Sequence, residues 1–313
     1  MVGRYLSARS LPFYLALLGL LLSLLLRTHT LKAAMVSRTA AAEFDVVSLS
    51  LTTYGLAGLP TELGKKVASA LQVIEEAIDR YGPSHLALSF NGGKDCTALM
   101  HLVRAALYKH MTDCGDATGS SAPLVSLYIQ YKKSFPEMDA FVERSIAHYD
   151  LELVKRGGPM KQGLQSFKES YPEIQGIFVG TRRDDPYGDK LQFFSPTDPD
   201  WPQFMRVNPI LDWTFDDVWG FMRQAGVPYC CLYDQGYTSL GDVDSTTRNP
   251  ALLKNGKYQP AWTLANGELE RSGRSTPSGT AGSSSAASGI PIPIREARCA
   301  GTANGSCSPG SED

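Results

Sequence analysis

Paired cysteines are missing from this sequence. The six that occur, Cys96, Cys114, Cys230, Cys231, Cys299 and Cys307, form no C-x-x-C pair. That spacing excludes a zinc ribbon and a dense disulfide framework, and it reads as reduced thiols of an intracellular protein. An excess of either charge is also missing. The formal net charge is −2, which implies no general polyanion-binding surface, so no nucleic-acid partner is expected. The apolar run at 11–26 is interrupted by Pro12, Gly19 and Ser23 and is shorter than the roughly 20 residues a spanning helix needs. Acidic residues are absent from 1–42, which carry Arg4, Arg9, Arg27, Lys32 and Arg38. This pattern suits a mitochondrial transit peptide, a signal h-region or a short anchor. Residues 1–42 are therefore set outside the fold. A cytoplasmic or mitochondrial location is expected, with membrane contact only through 11–26. At the other end, 275–313 is rich in Ser, Gly, Ala and Pro and too poor in apolar surface to offset its ordering entropy, so it is expected to be disordered.

What remains, 43–274, alternates two periodicities. Helical spacing marks 61–80, with Leu63, Val67, Leu71, Ile74 and Ile78 on one face and Thr61 as N-cap. It also marks 96–110, 136–148, 163–170 and 214–224. Pro136 suits a first turn, and Thr214 opens the last helix with acidic residues behind it. Short apolar strands are expected at 85–90, 124–129, 151–154 and 174–179, and a loop at 113–122. Alternating units of this kind predict an α/β fold with a mainly parallel twisted sheet and helices on both faces. Ligands on such sheets bind at the carboxyl ends of the strands.

Two motifs fall at those ends. Ser89-Phe90-Asn91-Gly92-Gly93-Lys94-Asp95-Cys96 closes a strand and opens a helix. Two glycines let the backbone turn sharply and present N–H groups to a phosphate, the helix N-terminus adds positive potential, and Lys94 adds a full charge. The spacing is neither that of the ATPase phosphate loop nor G-x-G-x-x-G. The second motif starts at Gly180-Thr181-Arg182-Arg183-Asp184-Asp185-Pro186-Tyr187-Gly188 and continues from Trp201-Pro202 to Phe204-Met205-Arg206. Its arginines suit a phosphate, its aromatics a flat heteroaromatic ring, and its carboxylates a ring N–H.

The first motif resembles the pyrophosphate loop of the ATP pyrophosphatase (PP-loop) superfamily, usually written Ser-Gly-Gly-x-Asp-Ser, with Asn91 and Cys96 in place of the two serines. Asn-Gly-Gly-Lys-Asp-Cys is the form of the monofunctional FAD synthase branch, within the phosphoadenosine-phosphosulfate reductase-like group. The second motif is similar to that branch's flavin-binding region at 180–210, and Glu270-Arg271-Ser272-Gly273-Arg274 to its closing motif. The resemblance spans 61–274, with departures at Arg183, Asp184 and the acidic stretch 242–248.

It implies a nucleotidyltransferase, FMN adenylyltransferase, that joins the AMP of ATP to FMN and releases FAD and pyrophosphate, with Mg2+ required. ATP and pyrophosphate are expected at Ser89, Asn91, Gly92, Gly93, Lys94 and Ile129. Asn91, Asp95, Arg271 and Arg274 are expected to be catalytic, with Asn91 and Asp95 at the metal. Asp185, Pro186, Tyr187, Gly188 and Trp201 are expected to meet the flavin, and Arg206 the FMN phosphate. FAD delivery to client apo-flavoproteins is a further expected interaction. The rival readings are a sulfonucleotide reductase, whose Glu-Cys-Gly motif is absent, and a non-catalytic flavin or nucleotide carrier. His85, His101, His110 and His148 read as structural, and Trp213 and Trp219 as packing residues.

Overall fold

A computed structural model describes residues 45–115, 123–130 and 133–275. The extension 1–42, the tail from 276 and most of the expected loop 113–122 lie outside the described residues. Among the described residues, no helix is long and apolar enough to cross a membrane.

In chain order the principal elements are α1 (Val46–Ala57), α2 (Glu62–Tyr81), β1 (Leu86–Ser89), α3 (Lys94–Asp113), β2 (Leu124–Gln130), α4 (Pro136–His148), β3 (Leu151–Gly157), α5 (Met160–Ser170), β4 (Gly176–Phe178), β5 (Phe194–Pro196), β6 (Met205–Val207) and α6 (Phe215–Gln224). The sheet order is β3-β2-β1-β4-β6-β5. All neighbours run parallel except β5 against β6. The expected α/β architecture is therefore present. Side chains alternate across the sheet as the strand period requires. Leu86 and Leu88 face a large apolar layer that includes Ile74, Leu99, Leu102 and Phe221. Ala87 faces a smaller one with Leu127, Val154, Leu164 and Phe167.

Helix ends follow local chemistry. Thr61 Oγ1 accepts from Gly64 N–H at 3.0 Å. Thr214 and Asp217 close a capping box at the start of α6. Asp217 also pairs with Lys66 at 2.5 Å, tying α6 to α2.

Two features differ from the sequence reading. Helix α1 was not expected, because Val-Val-Ser-Leu-Ser-Leu-Thr-Thr has β-branched and hydroxyl residues and no helical period. It forms because Asp45 caps it, accepting from Ser48 N–H at 2.9 Å, and because it lies on α3, where Ser50 Oγ donates to Ala105 O at 3.2 Å. Helix α3 is thus buried on every side from Lys94 to Leu107, where one apolar face was expected. The 180–210 stretch, read as a loop, folds back as β5 and β6 and extends the sheet. His101 is buried against Tyr149, and burial pulls its imidazole down to about 3. Trp213 and Trp219 are buried in the large layer.

Candidate active site

From β1 the chain goes to β2 and β3 on one side, and the later strands β4, β6 and β5 fill the other side. The crevice at the carboxyl ends of β1 and β4 is therefore the topological switch point, where open α/β sheets bind ligands. Both motifs open there.

Phe90 N–H still donates to Leu127 O at 3.0 Å, so the chain leaves the sheet at Asn91. Gly92 then turns with φ +80°, and a Cβ there would stand 2.6 Å from Met138 Sδ of α4; both facts demand glycine. Gly93 is the extended N-cap of α3 and has no side-chain cap. Asn91 Oδ1 accepts from Gly93 N–H at 2.9 Å and from the Cys96 thiol at 3.0 Å, which holds the turn closed. Lys94 N–H donates to the hydroxyl of Tyr233 at 2.9 Å. Burial pushes the Cys96 thiol up to about 12, so it stays protonated and serves the turn rather than as a nucleophile. Opposite, Gly180 follows β4 so closely that a Cβ would lie 3.0 Å from Cys96 N. The end of β4 and the start of α3 are in direct backbone contact.

Between them sits a buried hub of five charges drawn from three distant segments. Lys94 Nζ is 3.0 Å from Asp95 Oδ2 and is also paired with Glu270 Oε1. Arg182 Nε is 3.0 Å from Asp95 Oδ1, and its Nη2 is 2.6 Å from Glu270 Oε2 and 3.9 Å from Asp185 Oδ1. Asp185 Oδ2 also accepts from Arg182 N–H at 2.9 Å. Lys94, Asp95 and Arg182 are each about 1% exposed. Burial works to raise Asp95, but Arg182 and then Lys94 outweigh it and hold the carboxyl below its ordinary value. Asp185 goes the other way. Burial and the Asp95 charge lift it from 3.8 to about 6, because it is the third carboxylate around two cations.

The closing segment approaches from the far side. Its backbone is pinned where Thr238 Oγ1 donates to Glu270 O at 2.5 Å and Asn249 Nδ2 donates to Leu269 O at 2.7 Å. The Arg274 guanidinium lies on Gly241. Burial and then the Arg271 charge pull Arg274 below its ordinary value, while Tyr233 and Asp242 oppose this. Two neighbouring cations favour an anion between them.

The phosphoadenosine phosphosulfate reductase domain matches residues 85–248. A Schizosaccharomyces pombe protein named "Probable FAD synthase" is 42% identical over 213 residues, covering 68% of this chain and 80% of its own. The chain belongs to the FAD synthase family. A Caenorhabditis elegans protein of the same name is 40% identical, and the match covers 68% of this chain but 41% of that one. The Candida glabrata FMN adenylyltransferase, solved with FAD and inorganic pyrophosphate, superposes with a TM-score of 0.66 at 25% identity over 74% of this chain and 96% of its own.

Against the FAD synthase pattern the expected residues fall into three groups. Lys94, Asp95 and Asp185 meet in the hub, while Asn91, Gly92 and Gly93 form the turn beside it. Ser89 ends β1 opposite Leu127, and Ile129 on β2 packs against Gly163. Pro186, Tyr187, Gly188 and Trp201 lie further out along the 180–210 stretch. Tyr187 has φ +67° and is 53% exposed, and Lys161 Nζ stands 5.8 Å over the Trp201 ring.

Two expectations need correction. Arg206 is 3% exposed, and its Nε and Nη2 donate to Ser195 O and Pro196 O at 3.3 and 2.8 Å. It holds the edge strand β5 rather than facing a phosphate. The proposed metal ligands do not fit magnesium in this arrangement either. Asn91 Oδ1 already accepts two hydrogen bonds, and the two oxygens of Asp95 face Arg182 and Lys94. Arg182, Glu270 and Tyr233 were not singled out as site residues. The first two stood inside the quoted motifs, where a buried arginine and its carboxylate could have been paired. Nothing in the sequence marked Tyr233.

Proposed function

We propose that this chain is an FAD synthase that transfers AMP from ATP to FMN and releases pyrophosphate. The observation that carries the reading is the hub. It joins a pyrophosphate-type loop and a flavin-type loop, both within the matched residues 85–248, with the closing segment at one switch point. A phosphate oxygen of FMN attacks the α-phosphorus of ATP. The new P–O bond forms as the bond from the α-phosphorus to the bridging oxygen breaks, and that electron pair leaves with pyrophosphate. Both nucleophile and leaving group are anionic near neutral pH, so no general base is needed. The protein's work is positioning and charge stabilisation. The Gly92 N–H and the positive end of α3 are set for the leaving phosphates, while the Gly93 and Lys94 N–H groups shape the turn through Asn91 Oδ1 and the Tyr233 hydroxyl. Arg271 and Arg274 stabilise the charge of the phosphates. Adenine lies along the ends of β1 and β2, near Ser89 and Ile129. The flavin lies along 185–188 and Trp201. Magnesium is expected to arrive on the phosphates of ATP.

The test is the full chain with FMN, ATP and magnesium, with FAD and pyrophosphate separated by chromatography. Formation of both in equal amounts, lost in Asp95→Ala, is the expected result. Absence of FAD while FMN and ATP still bind would turn the reading to a carrier. Residues 1–42 are proposed to act as an address for the mitochondrion or a membrane, and localisation of a fluorescent fusion with and without them tests this. Delivery of FAD to apo-flavoproteins is tested by direct transfer in the presence of an FAD scavenger.

A further inference from the structure

With Arg206 committed to strand carbonyls, the FMN phosphate lacks its expected partner. One buried arginine remains in the flavin-type loop. Arg182 places Nε 3.0 Å from Asp95 Oδ1, an ion-pair contact without hydrogen-bond geometry, and Nη2 on Glu270 and Asp185. Its third nitrogen, Nη1, is fully shielded and has no hydrogen-bond acceptor among the described residues. A buried guanidinium N–H without an acceptor is rare, because its desolvation is uncompensated. Such an atom at a ligand site points to an acceptor that the ligand supplies.

Resting on the FAD synthase reading, we infer that Arg182 is a substrate-contacting residue whose Nη1 donates to a phosphate oxygen where FMN and ATP meet, and that Asp95 and Glu270 are positioning residues that aim it. Place decides phosphate over flavin ring. Asp95, which holds Nε, lies in the first turn of α3, whose N-terminus opens the pyrophosphate loop. The guanidinium is therefore one side chain from that loop. Charge agrees. Lys94 and Arg182 balance Asp95 and Glu270, the surplus carboxylate Asp185 is lifted toward its neutral form, and the Arg274 charge feels Tyr233, whose hydroxyl accepts the first N–H of α3. The fork geometry matters as well. Three nitrogens in one plane serve Asp95, Glu270 and a third acceptor together, which a lysine ammonium at the same place does not do. This also gives Asp95 a role that does not require it to bind metal.

The test is equilibrium binding of FMN, riboflavin and magnesium ATP to wild type, Arg182→Lys and Glu270→Gln, read by flavin fluorescence and calorimetry, with unfolding midpoints alongside. Losing one charge-assisted hydrogen bond corresponds to roughly tenfold to hundredfold in affinity. Arg182→Lys should lose that factor for FMN or for ATP, and riboflavin, which has no phosphate, should change less than about twofold. A loss confined to FMN names the FMN phosphate, and a loss confined to ATP names the ATP phosphates. Equal loss for FMN and riboflavin would overturn the proposal in favour of the ring, and no loss for any ligand would overturn it outright. If Arg182→Lys does not fold, Glu270→Gln carries the test, because it keeps the arginine while loosening its aim together with the Lys94 pair. The same ligand should weaken by a smaller factor while riboflavin holds. Wild-type FAD formation is measured in parallel. Its absence would count against the FAD synthase reading, whereas the ligand selectivity reads Arg182 whether or not FAD forms.

Discussion

Asp185→Asn should stabilise the fold at pH 8 while weakening the enzyme. The hub carries two cations and three carboxylates, so ionising Asp185 leaves one negative charge in excess in a buried site. The Asp185 carboxyl is lifted from 3.8 to about 6. At about 1.4 kcal/mol per pH unit, that difference amounts to about 3 kcal/mol as an upper figure. The sign follows from proton binding. Between about pH 4 and 6 the native state holds a proton on Asp185 that the unfolded chain has released. The stabilisation is therefore full below the unfolded value and is lost as pH rises through 6. Asparagine keeps the oxygen that accepts Arg182 N–H at 2.9 Å but never ionises. Other carboxylates, such as Asp95 and Asp217, have lowered values and tilt the raw curve the other way, so the informative quantity is variant minus wild type. Urea unfolding in steps from pH 4 to 8 measures it. The difference should start near zero or slightly negative at pH 4 and climb by about 1–3 kcal/mol by pH 7. A flat difference, or one that falls with pH, would refute the view of Asp185 as the surplus charge.

Gly180→Ala puts a Cβ 3.0 Å from Cys96 N without any left-handed strain. It should shift the end of β4 from α3 by a few tenths of an ångström and cut FAD formation by about tenfold or more, with a small change in unfolding midpoint. Activity within twofold of wild type would mean that this backbone contact does not set the site. Arg274→Gln removes a cation whose repulsion from Arg271 is opposed by Tyr233 and Asp242, and FAD formation should fall roughly 100-fold in a steady-state assay at saturating FMN. Thr214→Ala opens the capping box of α6 and should cost about 1 kcal/mol in denaturant unfolding, with FAD formation unchanged.

The sequence was informative where one residue's neighbours in the chain decide its state. Thr61, Pro136 and Thr214 announced helix starts, and α4 matches its expected limits at both ends. The pyrophosphate loop was legible because Gly-Gly-Lys-Asp between a strand and a helix serves few other purposes. It was not legible where partners come from far away. Helix α1 has poor local propensity and is held by α3. Strands β5 and β6 are three residues each, too short to show a period, and exist because β4 offers an edge. Arg206 looked like a phosphate ligand from its place in a motif, yet its donors go to carbonyls only ten and eleven residues earlier, a pairing visible only once β5 folds back. Asp95 looked like a metal ligand because a carboxylate beside a phosphate loop usually suggests one. Its partners include one adjacent and one at 182, which had to be brought together by the sheet order.

That same sheet order explains why charge is buried here at all. Removing ionised groups from water is costly, and apolar replacements of similar volume often stabilise a fold. A hub that served stability alone would be better replaced by leucines. This one sits at the point where three chain segments must keep fixed relative positions, and four of its five members pair with a residue from another segment. Lys94 reaches the closing segment, Arg182 reaches the phosphate loop, and Glu270 reaches both. Displacing any one segment breaks at least two buried ion pairs, so the three are held to one arrangement more stringently than non-directional apolar contact would hold them. Two polyanionic substrates must meet in line, and an error of about 1 Å in their placement costs more rate than the hub costs in stability. The fold therefore tolerates the excess charge of Asp185 in the hub, where register is needed, and keeps the surrounding layers apolar.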